Sequence, residues 1–269
     1  MGPQNTNRMM IEAFYDAQTN TVSYVVSDSQ TRRAAVIDSV LGFDYAAGAL
    51  SYDEADAIVA YIKQADLHVD WHIETHVHAD HLSAAPYLQE RLGGKIGICE
   101  KITEVQNVFG KMFNAGTAFE RDGSQFDHLF TDNETYQIGG LTAQALHTPG
   151  HTPACMAHLI DDAVFVGDTL FMPDGGTARA DFPGGDARTL YRSIKRILAL
   201  PPETRIFVCH DYGPEGRDYA WETTVAEELH NNIHVGHTIS EDEFVAMRTQ
   251  RDHGLDMPKL IMPSIQVNM

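Results

Sequence analysis

The chain is poor in cysteine, in positive charge and in long apolar runs, and each shortage removes a class of function. Its three cysteines, Cys99, Cys155 and Cys209, stand far apart in 269 residues with no Cys-x-x-Cys spacing. That pattern builds neither a disulfide framework nor a thiolate zinc site, so buried, inert thiols in a reducing cytoplasm are expected. Lys and Arg number 19 against 38 Asp and Glu, a formal charge of -19. Such a balance repels nucleic acid and anionic membrane surfaces alike. No run of about 18 apolar residues occurs, and the opening stretch lacks the apolar core of a signal peptide. A small-molecule partner remains, and a homodimer is allowed.

The patterning alternates strands and helices. Residues 10–15, 22–27 and 34–40 read as strands rich in β-branched and aromatic residues. Ser51 and Glu54 stand at the spacing of a capping box before Ala55, Ile58, Val59 and Ile62, which predicts a helix to about Gln64. A strand follows at 69–74, then a helix expected to start at Asp80 and to stop at Gly93-Gly94. Residues 95–99 suggest a strand and 102–109 a helix, while 114–132 carry little pattern. Two hairpins are expected, 134–147 through Gly139-Gly140 and 156–166 through Asp161-Asp162. Asp186 is placed to cap a helix ending at Pro201-Pro202. A strand at 205–209 and helices at 221–230 and 240–248 complete an α/β chain, read as one domain over 1–269 with 213–269 as a helical C-terminal extension.

Against this background Thr75-His76-Val77-His78-Ala79-Asp80-His81 stands out. Three imidazoles and a carboxylate crowd into seven residues at a strand-to-helix turn, where α/β proteins place ligands. Such donors hold metal, and they leave iron and zinc both open. Three later segments share a form, a strand followed by an abrupt turn with a potential ligand: His151 in 146–151, Asp168 in 165–169 and His210 in 207–211. The remaining histidines, His68, His72, His128, His147, His158, His230, His234, His237 and His253, are read as ordinary surface or core residues.

Thr-His-x-His-x-Asp-His, Thr-Pro-Gly-His-Thr-Pro, Gly-Asp-Thr-Leu-Phe and a late His-Asp-Tyr, in that order, resemble the metallo-β-lactamase superfamily over residues 10 to 212. The resemblance implies an αββα sandwich, two mixed sheets flanked by helices, with metal at one sheet edge. The segment from Leu170 to Asp186 is similar to the persulfide dioxygenase family. That likeness implies one Fe(II) per chain held by His76, His151 and Asp168, a two-histidine, one-carboxylate triad with open positions for a persulfide sulfur and O2. It implies oxidation of glutathione persulfide, or a related small persulfide, to sulfite and thiol, in sulfide detoxification.

In that reading His78, Asp80, His81 and His210 surround the iron or hold a second metal, and Arg179 and Asp181 of the Arg-x-Asp-Phe motif belong to the substrate site, where Arg179 binds a substrate carboxylate or holds Asp181 in a bidentate pair. Gly175 and Ala180 replace the tyrosine and cysteine of many relatives, so no thiol acts at 180. The alternative is a dinuclear zinc hydrolase of glyoxalase II type acting on a glutathione thioester. The stretch after His210 counts against it, because no basic glutathione-binding tail is legible there.

Overall fold

The computed structural model describes residues 8–116, 118–236 and 238–269, so His237 lies outside the described residues. The first half contains β1 (Met9–Asp16), β2 (Thr21–Asp28), β3 (Arg33–Ile37), β4 (Val40–Asp44), β5 (Ala49–Ser51), α1 (Asp53–Gln64), β6 (His68–Ile73), β7 (Leu82–Ser83), α2 (Ala85–Leu92), β8 (Lys95–Cys99), α3 (Ile102–Met112) and β9 (His128–Phe130). The second contains β10 (Thr135–Ile138), β11 (Leu141–His147), β12 (Met156–Ile160), β13 (Ala163–Phe165), α4 (Ala187–Ile197), β14 (Arg205–Phe207), β15 (Glu222–Thr224), α5 (Val225–Asn231), α6 (Glu241–Asp252) and α7 (Ile261–Asn268).

Two six-stranded sheets form, ordered β1-β2-β3-β6-β8-β9 and β10-β11-β12-β13-β14-β15. Both are mixed. β3, β6, β8 and β9 run parallel, as do β13 and β14, and the other neighbours are antiparallel.

Side-chain alternation decides the layering. Val22, Tyr24 and Val26 of β2 point into the seam between the sheets, among Ala143, Ala145 and Phe165. Val25 faces outward onto Ile58 and Ile62 of α1 and Leu88 of α2. On the opposite sheet Met156 and Ile160 fill the seam, while Ala157 joins Leu190 and Ile194 of α4 and Phe244 of α6. Strands buried on both faces with helices outside make the αββα sandwich that the sequence motifs imply.

Several local expectations fail for identifiable reasons. The helix expected at Asp80 starts at Ala85, because Leu82 and Ser83 pair with Leu41 and Val40 in a small third sheet. Ser51 forms no capping box; its hydroxyl bonds the Asp53 carboxylate, and Tyr52 occupies the cap without a side-chain bond. Of the helix expected over 221–230, Glu222–Thr224 instead pairs with β14, and α5 starts at Val225 under the Thr224 hydroxyl. The Asp186 cap forms as expected, and Ser240 and Glu243 close a capping box at the start of α6.

Candidate metal centre

The candidate ligands sit beyond strand ends on one edge of the sandwich. His76, His78, Asp80 and His81 follow β6, while His151, Asp168 and His210 follow β11, β13 and β14. Two glycines make the approach possible. Gly150 has φ +136, and a Cβ there would lie 2.3 Å from the Leu190 backbone. Gly167 has φ +51 and would meet the Thr75 hydroxyl at 2.4 Å. Both conformations disfavour any L side chain.

His76, His151 and Asp168 bring one donor atom each within 4.8 Å of one another. The far nitrogen of each ring is already fixed. His76 Nδ1 contacts the Thr75 hydroxyl at 3.0 Å, and His151 Nδ1 donates to the Arg179 carbonyl at 2.8 Å. Both Nε2 atoms are thereby turned toward Asp168 Oδ2, at 4.0 and 3.6 Å. Burial, with repulsion from His78 and His151, pushes the His76 imidazole well below its ordinary pKa, which keeps it a neutral donor.

The other Asp168 oxygen serves a second set. Asp168 Oδ1 lies 3.3 Å from His210 Nε2, which is itself 3.3 Å from Asp80 Oδ2. His78, Asp80 and His81 also converge within 4.8 Å, as do Asp168, Cys209 and His210. His210 Nδ1 is held by the Asn20 carbonyl at 3.2 Å. His78 Nε2 faces Asp38 at 3.1 Å and Glu74 at 3.4 Å. Burial alone lowers an imidazole pKa, yet these two carboxylates hold His78 well above its usual value.

A test of fit lies in the orphaned atoms. Nine buried side-chain N or O atoms make no hydrogen bond among the described residues, and four of them are His78 Nδ1, His81 Nε2, Asp168 Oδ1 and His210 Nε2. Each such atom costs roughly 1–3 kcal/mol if left bare. Four together beside Asp80 suit cations, with histidine and carboxylate donors that take zinc or iron.

The centre floors a cavity of about 690 Å³ whose wall includes Asp80, His151, Asp168 and His210, a size suited to a small molecule. Arg179 reaches that wall, but its guanidinium is spent: it pairs through two bonds with Asp181 at 2.6 and 2.8 Å and donates to the Asp256 carbonyl. Asp181 is not part of the cavity wall. This geometry supports a bracing role for the pair. The free cations come from elsewhere. Arg251 and Lys259 line the cavity and carry no ion pair among the described residues.

The stretch directly after His210 holds no basic tail that sequence could mark, yet the later Arg251 and Lys259 bring positive charge to the cavity. Sequence reading also missed Asp38, whose buried carboxylate takes the Thr75 N–H and hydroxyl besides facing His78. Asp38 has φ +51, a strained conformation that the site retains. All three cysteines are free and buried, as expected, and Cys209 shares a cluster of potential donor atoms with Asp168 and His210.

Residues 17–210 match the family model for the metallo-beta-lactamase superfamily. The chain belongs to that superfamily of metallo-hydrolases. It is 55% identical to a probable metallo-hydrolase of Burkholderia pseudomallei, over 97% of this chain and 92% of that one. Glyoxylase B2 of Dictyostelium discoideum is 47% identical over 98% of this chain and 91% of its own length. The crystal structure of ETHE1 from Myxococcus xanthus superposes with a TM-score of 0.76 at 30% identity, covering 97% of this chain and 98% of that one. The bovine mitochondrial persulfide dioxygenase ETHE1 is 28% identical over 97% of this chain and 88% of its own. The resemblance to ETHE1-like enzymes stands, with the more similar relatives bearing hydrolase and glyoxylase names.

Proposed function

We propose that the chain is a dinuclear metal-dependent hydrolase that cleaves a thioester of a small anionic thiol, of glyoxalase II type. One observation carries the reading: Asp168 turns one oxygen to His76 and His151 and the other to His210, beside orphaned donors on His78 and His81. His76, His78, His151 and Asp168 would hold one ion, and Asp80, His81, His210 and the same Asp168 the other. A divalent pair at such a site supplies Lewis acidity toward a carbonyl and acidifies water.

The rest is the work of the chain. Asp38 and Glu74 orient His78 from behind, and the Arg179 carbonyl orients His151, the outer support that fixes ring tautomer and basicity. Phe171 stands edge-on to His210 and Phe182 edge-on to His151, and both line the cavity, excluding water from that side. Arg251 and Lys259 offer charge to the carboxylates of a glutathione-like group.

A second reading, the persulfide dioxygenase, is favoured by the triad itself. His76, His151 and Asp168 form a group without His78, as a two-histidine, one-carboxylate iron site does. Iron would there supply the redox chemistry with O2 that zinc lacks. The test is metal analysis of protein purified without air, paired with two assays: hydrolysis of a glutathione thioester, and O2 uptake with glutathione persulfide. Two ions per chain and thioester turnover are expected. One iron per chain, persulfide-dependent uptake and no hydrolysis would overturn the hydrolase in favour of the dioxygenase.

A further inference from the structure

The C-terminal helix α7 reaches the back of the metal loop, and the residue that does so is Asn268. Its Nδ2 donates to the His78 carbonyl at 3.0 Å and to the His81 carbonyl at 2.9 Å. Its Oδ1 accepts from the Ser83 N–H at 2.8 Å. A side-chain amide has two N–H donors and one acceptor oxygen. Here both kinds of group are directed at one loop, 185 to 190 residues away along the chain. The helix that carries the amide is fixed by burial, with Ile265 and Met269 in the core between the sheets. Ser83, gripped through its N–H, in turn donates its hydroxyl to Glu74 Oε1 at 2.8 Å, and Glu74 faces His78.

We propose that Asn268 is a positioning residue of the metal centre: it clamps residues 78–83 so that His78, Asp80 and His81 keep their donor atoms converged. The inference rests on the dinuclear reading for its effect on metal. Its reach is selective, because the triad His76, His151 and Asp168 is fixed by Thr75, Arg179 and the turn at Gly167, none of which Asn268 touches. Losing the clamp therefore weakens the Asp80–His81–His210 side more than the triad. A purely structural role would instead lower stability and both affinities together.

The experiment titrates cobalt(II) into the chelator-stripped protein against a chromophoric competitor, and follows amide hydrogen exchange over residues 78–84 in the metal-free form. Wild type is compared with Asn268→Ala, Asn268→Asp and Gln266→Ala. Gln266 lies on the same helix, is exposed, and among the described residues its side chain bonds its own helix alone, at the Met262 carbonyl. In Asn268→Ala the second cobalt is expected to bind about 10- to 100-fold more weakly, the range for loss of an outer support, with the first, which shares only His78 with the clamped loop, weakened far less and the Ser83 amide exchanging faster.

Asn268→Asp keeps the size and the acceptor but sets a carboxylate against two carbonyls, so the second ion is lost there as well. Gln266→Ala matches wild type in both measurements. Equal loss of both ions in Asn268→Ala, or two affinities like those of wild type, overturns the proposal. If the wild type itself takes up a single cobalt, the dinuclear reading falls. The clamp is then judged on exchange alone, and an unchanged Ser83 rate in both Asn268 variants refutes it.

Discussion

Asp168 divides its two oxygens between two groups of donors, and on the proposed dinuclear reading that single side chain decides the occupancy of both. Asp168→Ala is expected to leave no bound metal by elemental analysis and no turnover; a variant retaining one full equivalent would refute the bridge. Arg251→Ala and Lys259→Ala are expected to raise KM for an anionic substrate about tenfold each, with kcat unchanged, as loss of a charged contact made equally in ground and transition states does. Steady-state kinetics at fixed ionic strength check this. The candidate ligands were legible in the sequence because metal demands particular donor types at strand ends, and those survive any reading of the packing. Arg251 and Lys259 were not. One sits on a helix and one on a turn, with no local signal to mark them as basic groups facing a cavity, and only tertiary packing brings them to the centre. Asp38 was hidden for a similar reason: a lone aspartate after a strand looks like any turn residue.

Helices α1 to α6 and the longer strands were read from periodicity, as were the short strands β10, β13 and β14, while several other short strands were not. β4, β5 and β7 escaped because two to five residues hold too little alternation to distinguish a strand from a turn. Their cost to the reading was large, since pairing of Leu82 and Ser83 with β4 displaced the helix expected at Asp80 and left the metal loop as irregular backbone. Helix α7 escaped through Pro263 inside its first turn, which the helix tolerates where an N–H is unpaired anyway. Caps were more faithful. Asp186 accepts from the Thr189 N–H at 2.7 Å at the start of α4, the helix whose Leu190 crowds against Gly150. Asp186→Ala is expected to cost about 1 kcal/mol in urea unfolding, with little change in metal content.

At the scale of the whole molecule, the seam between the sheets contains a pH-sensitive group. His158 is buried, its Nδ1 against the Tyr136 hydroxyl at 2.8 Å and its Nε2 without a hydrogen-bond partner among the described residues. Burial pushes its pKa down to about 4. The depressed value favours the neutral ring in the folded state, so the stability this provides is present above the unfolded value of about 6.5 and is lost as pH falls toward 4. The loss is of order 3 kcal/mol. Urea midpoints at pH 7 and pH 4.5 check it, and His158→Gln is expected to flatten the difference; an equally steep fall in that variant would place the acid sensitivity elsewhere.

The donors come from both halves: the 76–81 cluster from one sheet, and His151, Asp168 and His210 from the other. An ion bound among them is therefore a rivet through two plates, and its binding energy counts toward the cohesion of the fold. Binding to the native state alone at a thousand times the dissociation constant adds about 4 kcal/mol, so stripping the metal is expected to lower Tm by several degrees, read by calorimetry before and after chelation. A cell short of metal would then hold less of this protein, because the unriveted chain opens more often to proteolysis and is cleared sooner.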